Sequence, residues 1–385
     1  MAFFRNRAVN WLNLHYGLHA MVIAGGGAFY TVYLLRAGVS LPAVLVAMAG
    51  ILLGRFLIRP AIIPLAVRTG LKPLLIAGCL IEALQYPLLP LVHGVGPVLV
   101  LLCTLSSVGD TVYWSCYHAF FAALGDVEHR GHQVSAREAV AAVAGIISPL
   151  ATGVVLVGFG AEAAFGMAAA CQVAAAVPLL FTPNVVVRPG VRGVVRAAIP
   201  GVAFFLLDGF IGAGYVFVWQ LTLFVSLGGD FLGYGGALAL AALAGAIAGM
   251  LLGRHIDAGH GSRAVWLALA PFAAALLVRA LAAGHPGLAV AANALAVAAY
   301  CLYIPTLMTA VYNLARATQC TLRFHVATEG GWDFGGAGGC LLAALMLHFG
   351  FSLNGVLLLP LIGAALMAVR LRRYYAVKTV TLVSP

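Results

Sequence analysis

The chain has 385 residues, of which 63% are hydrophobic and 8% charged, and its formal net charge is +10. A soluble globular domain carries roughly 25% charged residues, so this chain has too few to cover a water-exposed surface. A soluble enzyme, a nucleic-acid-binding protein and a disordered chain are thereby excluded, and a polytopic membrane protein remains.

Twelve apolar runs follow one another, each near the ~20 residues that cross a ~30 Å hydrocarbon core. In the first half they cover 14–36, 41–64, 73–93, 97–121, 138–158 and 162–183. In the second half they cover 198–227, 231–253, 264–283, 287–313, 330–349 and 353–370. The runs are continuously apolar rather than alternating, which predicts helices and not barrel strands. Arg5 and Arg7 precede the first run, but 17–35 is too long for a signal-peptide core, so this segment is read as an uncleaved first span. Pro183–Arg196 holds Pro189, Gly190 and three arginines and reads as a linker. The predicted domains are a six-helix bundle at 1–184, a cytoplasmic linker at 185–197 and a second bundle at 198–385.

The basic residues fix an expected topology. With the N-terminus inside, 19 of the 21 Lys and Arg residues fall on the inner side and two, Arg36 and Arg279, on the outer. That asymmetry predicts both termini in the cytoplasm of a cell-membrane protein. The seven cysteines are odd in number and lack a CxxC pair, so neither a disulfide framework nor a zinc site is expected. At an offset of 191, Gly70-Leu71-Lys72 faces Gly261-Ser262-Arg263, Glu138 faces Glu329, and Phe159-Gly160 faces Phe349-Gly350 within one residue. The halves read as repeats.

The loop after the eighth span, Gly253-Arg254-His255-Ile256-Asp257-Ala258-Gly259-His260-Gly261-Ser262-Arg263, resembles the Gly-x-x-x-Asp-(Arg)-x-Gly-x-Arg signature of the major facilitator superfamily. The first-half loop at 65–72 keeps Gly70 and the basic residues Arg68 and Lys72, with Val67 where the family usually has Asp. The resemblance implies an all-α protein of twelve helices in two pseudo-symmetric six-helix bundles, with Arg254, Asp257, Arg263 and Arg68 as gating residues. Gly145 to Gly153, with Ser148 and Pro149, is similar to the span-five motif of the drug:proton antiporter branch. Span four lacks the arginine usual there and has Asp110 instead.

Charged side chains at membrane depth cost ~2.5 kcal/mol or more each and mark function. Asp110, Asp208 and Asp333, with Glu329 at the mouth of span eleven, are therefore proton-coupling candidates, as are His15 and His19, which the offset places opposite Asp208. Asp110, Tyr113, Trp114 and Tyr117 share one helix face, followed by His118. Together with Tyr215, Trp219, Gln220, Tyr300, Tyr303 and Trp332 these aromatic and polar residues are candidates to bind substrate, by stacking on an amphipathic molecule or a cation. Glu82, in span three, which is usually peripheral in the resembled family, is assigned a structural pairing or a protonated state. Arg55 is free to snorkel or to pair with Asp110.

The expected function is secondary active transport of a small organic substrate, amphipathic or cationic, by alternating access coupled to protons. Export is favoured by the span-five motif. Metal-ion transport and proton-coupled uptake are the alternatives. A membrane enzyme or accessory subunit ranks lower, because no HExxH, GxSxG, P-loop or CxxC is present. No cofactor, resident metal or nucleic acid is implied, and the protein is expected to work as a monomer in the bilayer.

Overall fold

A computed structural model describes residues 6–125, 130–187, 194–256, 261–316, 318 and 320–383. Every regular element among them is helical. The helices are α1 (Arg7–Arg36), α2 (Leu41–Thr69), α3 (Leu71–Leu91), α4 (Pro97–Leu124) and α5 (Arg130–Leu180). Then come α6 (Val194–Gly212, continued through Ala213–Val218 into Trp219–Ser226), α7 (Phe231–Ile256), α8 (Gly261–Ala282), α9 (Pro286–Arg316), α10 (Thr321–His348) and α11 (Leu359–Val383).

Among the described residues, ten stretches are long and apolar enough to cross a membrane. One of them lies in α5, whose 51 residues would run ~77 Å as a straight helix, far more than one crossing needs. Gly160 interrupts it at φ 87°, a left-handed turn that glycine adopts without strain, so α5 consists of two arms, each long enough for one crossing. α10 has 28 residues and is long enough, but it falls outside the ten; Glu329, Asp333 and six glycines lower its hydropathy. A count of twelve is reached by admitting α10 as well. Large apolar side chains stand exposed all along the helices, such as Leu57 at 74%, Met250 at 71% and Leu267 at 69%. In water such a surface would aggregate; it suits hydrocarbon.

The chain divides into two compact units. Unit 1 comprises Met1–Ser40, Gly50–Arg192 and Phe231–Ala239, and unit 2 comprises Leu41–Ala49, Gly193–Asp230 and Leu240–Pro385. The first turns of α2 and of α7 are thus exchanged between the units, at corresponding positions of the two halves.

The repeat is written in the backbone. Left-handed glycines end helices at Gly38, Gly94 and Gly160, and again at Gly229, Gly284 and Gly350. The second set follows the first at the spacing of the sequence repeat. A π-helical turn interrupts α1 at Ile23–Gly27 and α6 at Ala213–Val218, again at matching places in the two halves. Such turns are rare inside α-helices and hold one extra residue.

Glycine controls the closest helix contacts. A Cβ at Gly331 would meet the Val202 carbonyl, one at Gly335 the Leu206 carbonyl, and one at Gly339 Ala213 Cβ at 2.6 Å. These glycines recur every fourth residue, so one face of α10 lies directly on the α6 backbone. Gly209 answers from α6, where a side chain would strike the Trp332 carbonyl. In unit 1, α1 meets α5 in the same way: Gly25 lies against Ser148 and Thr152, while Gly153 and Gly235 tie α5 to α7, at the carbonyls of Phe231 and Pro149. The small residues of the span-five motif are therefore packing surfaces.

Candidate functional site

Unit 1 contains a buried polar cluster at membrane depth. It exists because α3 and α4 approach each other across glycines: a Cβ at Gly78 would lie 2.7 Å from the Tyr113 nitrogen, and one at Gly109 3.0 Å from the Glu82 nitrogen. Arg55 Nη1 of α2 donates to Asp110 Oδ2 of α4 at 3.2 Å. Glu82 of α3, 3% exposed, lies within electrostatic reach of Asp110. Its Oε2 also accepts from Gln172 Nε2 of α5 at 2.5 Å and lies 3.6 Å from His19 Nδ1 of α1. His19 Nδ1 donates to Gln172 Oε1 at 3.1 Å, and its ring stacks on Tyr113 with centroids 3.9 Å apart. His15 completes the group, with Nδ1 2.6 Å from the Ala175 carbonyl and Nε2 2.9 Å from the Tyr113 hydroxyl. Five helices therefore contribute to this cluster. Arg59, 2% exposed, donates to Ser115 Oγ at 3.1 Å one turn further along α2.

Unit 2 contains a second cluster. Asp208 Oδ1 of α6 accepts from the Tyr303 hydroxyl of α9 at 2.7 Å, a neutral donor. Tyr303 is fully buried and stacks on Phe272 at 4.8 Å, and Tyr300 stacks on Tyr215 at 4.7 Å. Beyond them Arg279 of α8, 2% exposed, lies over the rings of Tyr215 and Trp219, 4.3 and 4.6 Å from their centroids. It donates to the Tyr215 carbonyl at 2.8 Å and to Asn293 Oδ1 at 3.0 Å. Asn293 Oδ1 also accepts from Trp219 Nε1 at 2.9 Å. Tyr215 lies in the π-turn, where the wider ring departs from the regular i→i−4 ladder and its carbonyl takes a side-chain donor.

The sequence candidates distribute unevenly over this geometry. Asp110, His15, His19 and Tyr113 meet in the first cluster, and Asp208, Tyr303 and Trp332 meet in the second. Tyr113 and Tyr117 are fully buried in the core of unit 1, so in this conformation their rings are packing groups. Trp114 is half-buried and stacks on the exposed His118 at 5.5 Å. Trp219 is buried under Arg279, and Gln220 is half-buried on the next position. Asp333 is buried and Glu329 half-buried, one turn apart on α10. His15 and Asp208 each engage partners within their own unit.

The structure adds to three of these readings. Glu82 is paired with Gln172 and His19 inside the central cluster of unit 1; the glycines facing it across α3 and α4 were the available signal. Arg279, sorted with the outer loops, is a buried residue of α8. Together with Arg55 and Arg59 it gives the interior a fixed positive charge. Of the gating residues, Arg68 is exposed at the end of α2; Asp257 and the side chains of Arg254 and Arg263 lie outside the described residues. The first-half loop is used structurally. Gly70 turns at φ 82°, and Lys72 Nζ caps the end of α5 by donating to the Leu180 and Thr182 carbonyls, both at 2.8 Å. Asn184 bonds back to Thr69 and Lys72. Among the described residues no three His, Cys, Asp or Glu side chains converge as a metal site would require.

The fold defines a class: a multi-pass helical membrane protein with two compact units. Among solved structures the chain is similar to the nucleoside transporter NupG, in a single-substitution variant, at 11% identity over 96% of this chain and 100% of that one, with a TM-score of 0.71. It is likewise similar to the POT family transporter PepTSo, at 12% identity over 96% and 98% of the two chains and a TM-score of 0.68. At such identities the likeness is one of fold, and it is the fold that the major facilitator resemblance implies. No family model matches the sequence, and no curated protein matches it.

Proposed function

We propose that this chain is a secondary active transporter which moves a small organic substrate, amphipathic or cationic, by alternating access coupled to protons, with export favoured. Its termini face the cytoplasm of a cell membrane, it works as a monomer, and the two six-helix bundles at 1–184 and 198–385 are its moving parts. The observation that carries the reading is Asp208. A carboxylate at membrane depth held by the Tyr303 hydroxyl, a neutral donor, is stabilised without a contacting guanidinium among the described residues. Such a group exchanges a proton more readily than one locked in an ion pair. The aromatic groups around it, Tyr215, Tyr300 and Trp332, suit the faces of an organic cation or a planar ring. The fold shared with a nucleoside transporter and a POT family transporter supports small-molecule transport. The span-five small residues support export through the antiporter resemblance alone.

The test is transport by the purified protein in proteoliposomes with an imposed pH gradient, against panels of organic cations, neutral amphipaths, nucleosides and metal ions. The expected result is gradient-dependent flux of an organic substrate, lost on Asp208→Asn while substrate exchange without a gradient persists. Flux that is indifferent to the gradient in the wild type would make the protein a facilitator. Flux of a metal ion alone would replace the organic-substrate reading.

A further inference from the structure

The exposed face of α11 changes chemistry within one turn. Ile362, Leu366 and Val369 are exposed, an aliphatic stripe that suits hydrocarbon. Arg370, Arg372 and Arg373 follow, all exposed. At ~100° per residue Arg373 continues the line of the aliphatic side chains, with Arg370 and Arg372 to either side. The opposite face is packed: Met367 and Leu371 are buried, and Gly363 lies against Ile211 of α6. The three guanidiniums are therefore on the side turned away from the interior of unit 2. Among the described residues none of them has a carboxylate partner or a hydrogen bond.

On the neighbouring α8, Trp266 and Leu267 are exposed. Arg372 Cζ lies 5.4 Å from the Trp266 ring centroid, which puts the arginines and the indole at one level. Tryptophan collects at the border between hydrocarbon and headgroups, where its ring is apolar and its N–H is wet. From Trp266 to the end of α8 at Ala282 is ~24 Å, most of a ~30 Å hydrocarbon core. Two helices thus mark the same membrane border, α8 by its tryptophan and α11 by its change from aliphatic to basic.

We propose that this rim of unit 2 binds the phosphate headgroup of an anionic phospholipid, whose acyl chains lie along Ile362, Leu366 and Val369. Charge complementarity selects that occupant. A guanidinium engages phosphate oxygens through two parallel N–H donors, and Trp266 steadies Arg372 by a cation–π contact. A zwitterionic lipid brings its own ammonium among the three guanidiniums, whereas an anionic one leaves its phosphate charge to them. A soluble anion gains the same charge pairing without the aliphatic stripe. The site depends on the bilayer and not on the substrate, direction or coupling ion of transport.

The test uses the full-length protein in phosphatidylcholine bilayers with a small, rising share of brominated phosphatidylglycerol, which quenches tryptophan on contact. The Trp266 signal is the fluorescence lost in Trp266→Phe. Each basic residue near an anionic surface is worth about fivefold. Half-quenching of the Trp266 signal is therefore expected at a share of brominated phosphatidylglycerol about tenfold or more below that of brominated phosphatidylcholine. Arg373→Gln is expected to reduce this preference about fivefold, and Arg370→Gln, Arg372→Gln and Arg373→Gln combined to abolish it. Arg36→Gln, at the exposed end of α1, is expected to leave it unchanged, and about 0.5 M salt to weaken it. Folding of each variant is checked by helicity and monodispersity, and Arg373→Lys, which keeps the charge, retains most of the preference. Equal quenching by the two brominated lipids in the wild type, or a preference that survives the triple variant, would overturn the proposal. Displacement of the lipid by millimolar inorganic phosphate would overturn it as well, since the site would then be one for a soluble anion. Wild-type flux that ignores the pH gradient would sink proton coupling and leave this preference in place.

Discussion

Replacing Gly335 with alanine adds one methyl group where α10 lies on α6. The new Cβ would fall on the Leu206 carbonyl oxygen, with the carbonyl carbon at 2.8 Å and the Cα at 3.0 Å. These are backbone atoms, so no side-chain rotation relieves the clash and the helices must separate by about an ångström to recover ordinary contact. Overpacking of this kind typically costs ~1–3 kcal/mol. Three residues on, Gly338 has nothing within 4 Å of its would-be Cβ. Gly338→Ala therefore gains the helical preference of alanine over glycine, up to ~1 kcal/mol. The two variants have the same composition and differ only in which face of α10 carries the methyl. Thermal unfolding in detergent, followed by circular dichroism, should place Gly335→Ala below the wild type and Gly338→Ala at or above it. At about 2–4 °C per kcal/mol for a unit of this size, the midpoints should differ by roughly 4 °C or more. Equal midpoints, or the reverse order, would refute the close α6–α10 packing and with it the account of the glycine cluster.

Arg279→Lys should destabilise unit 2, since an ammonium cannot both bond to the Tyr215 carbonyl and cover two ring faces. Loss of charged hydrogen bonds worth ~1.5–3 kcal/mol would appear as a lower midpoint in the same unfolding assay, and an unchanged one would remove Arg279 from the support of the π-turn. Tyr303→Phe keeps the stack on Phe272 and deletes the hydroxyl on Asp208; we expect a loss of about 1–3 kcal/mol for the donor and altered gradient-driven flux, while an unaltered flux would argue that Asp208 is not a coupling site. Lys72→Met should free the segment after α5, measured as faster limited proteolysis at 182–187, and cleavage at the wild-type rate would show that the Asn184 contacts hold it alone.

The helical architecture was legible in the sequence because length, continuous apolarity and sparse charge all act on the same scale, the thickness of hydrocarbon. Gly160 and Gly350 stand at matching turns of the two halves, as glycine is the residue that reaches a left-handed φ without strain. The clusters were half legible. Asp110 and Asp208 stood out as carboxylates in apolar runs, but a run does not say which neighbour a side chain faces. Glu82 was set aside because span three is usually peripheral in the resembled family; its partners come from other helices, Gln172 among them, far along the chain. The burial of Arg279 was not legible for a related reason. Counting positive charges by loop treats an arginine near a helix end as solvent-facing, while here aromatic rings and carbonyls take the role of solvent.

The paired π-turns have a consequence for how this sequence is to be read. One extra residue in a turn advances every later side chain by about 100° around the helix axis. A single helical wheel drawn through Arg7–Arg36 therefore assigns Tyr30 and Val32 to the wrong face relative to His15 and His19, and the same slip separates Trp219 from Asp208. Each of these helices is two wheels with a fixed phase jump between them. The jump falls at matching positions in both halves, so aligning one half on the other needs no gap there. Because each turn already absorbs the extra residue, deleting one residue there would restore the i→i−4 ladder and leave both arms facing their present neighbours, whereas a deletion elsewhere in either helix would rotate one arm against the other by about 100°.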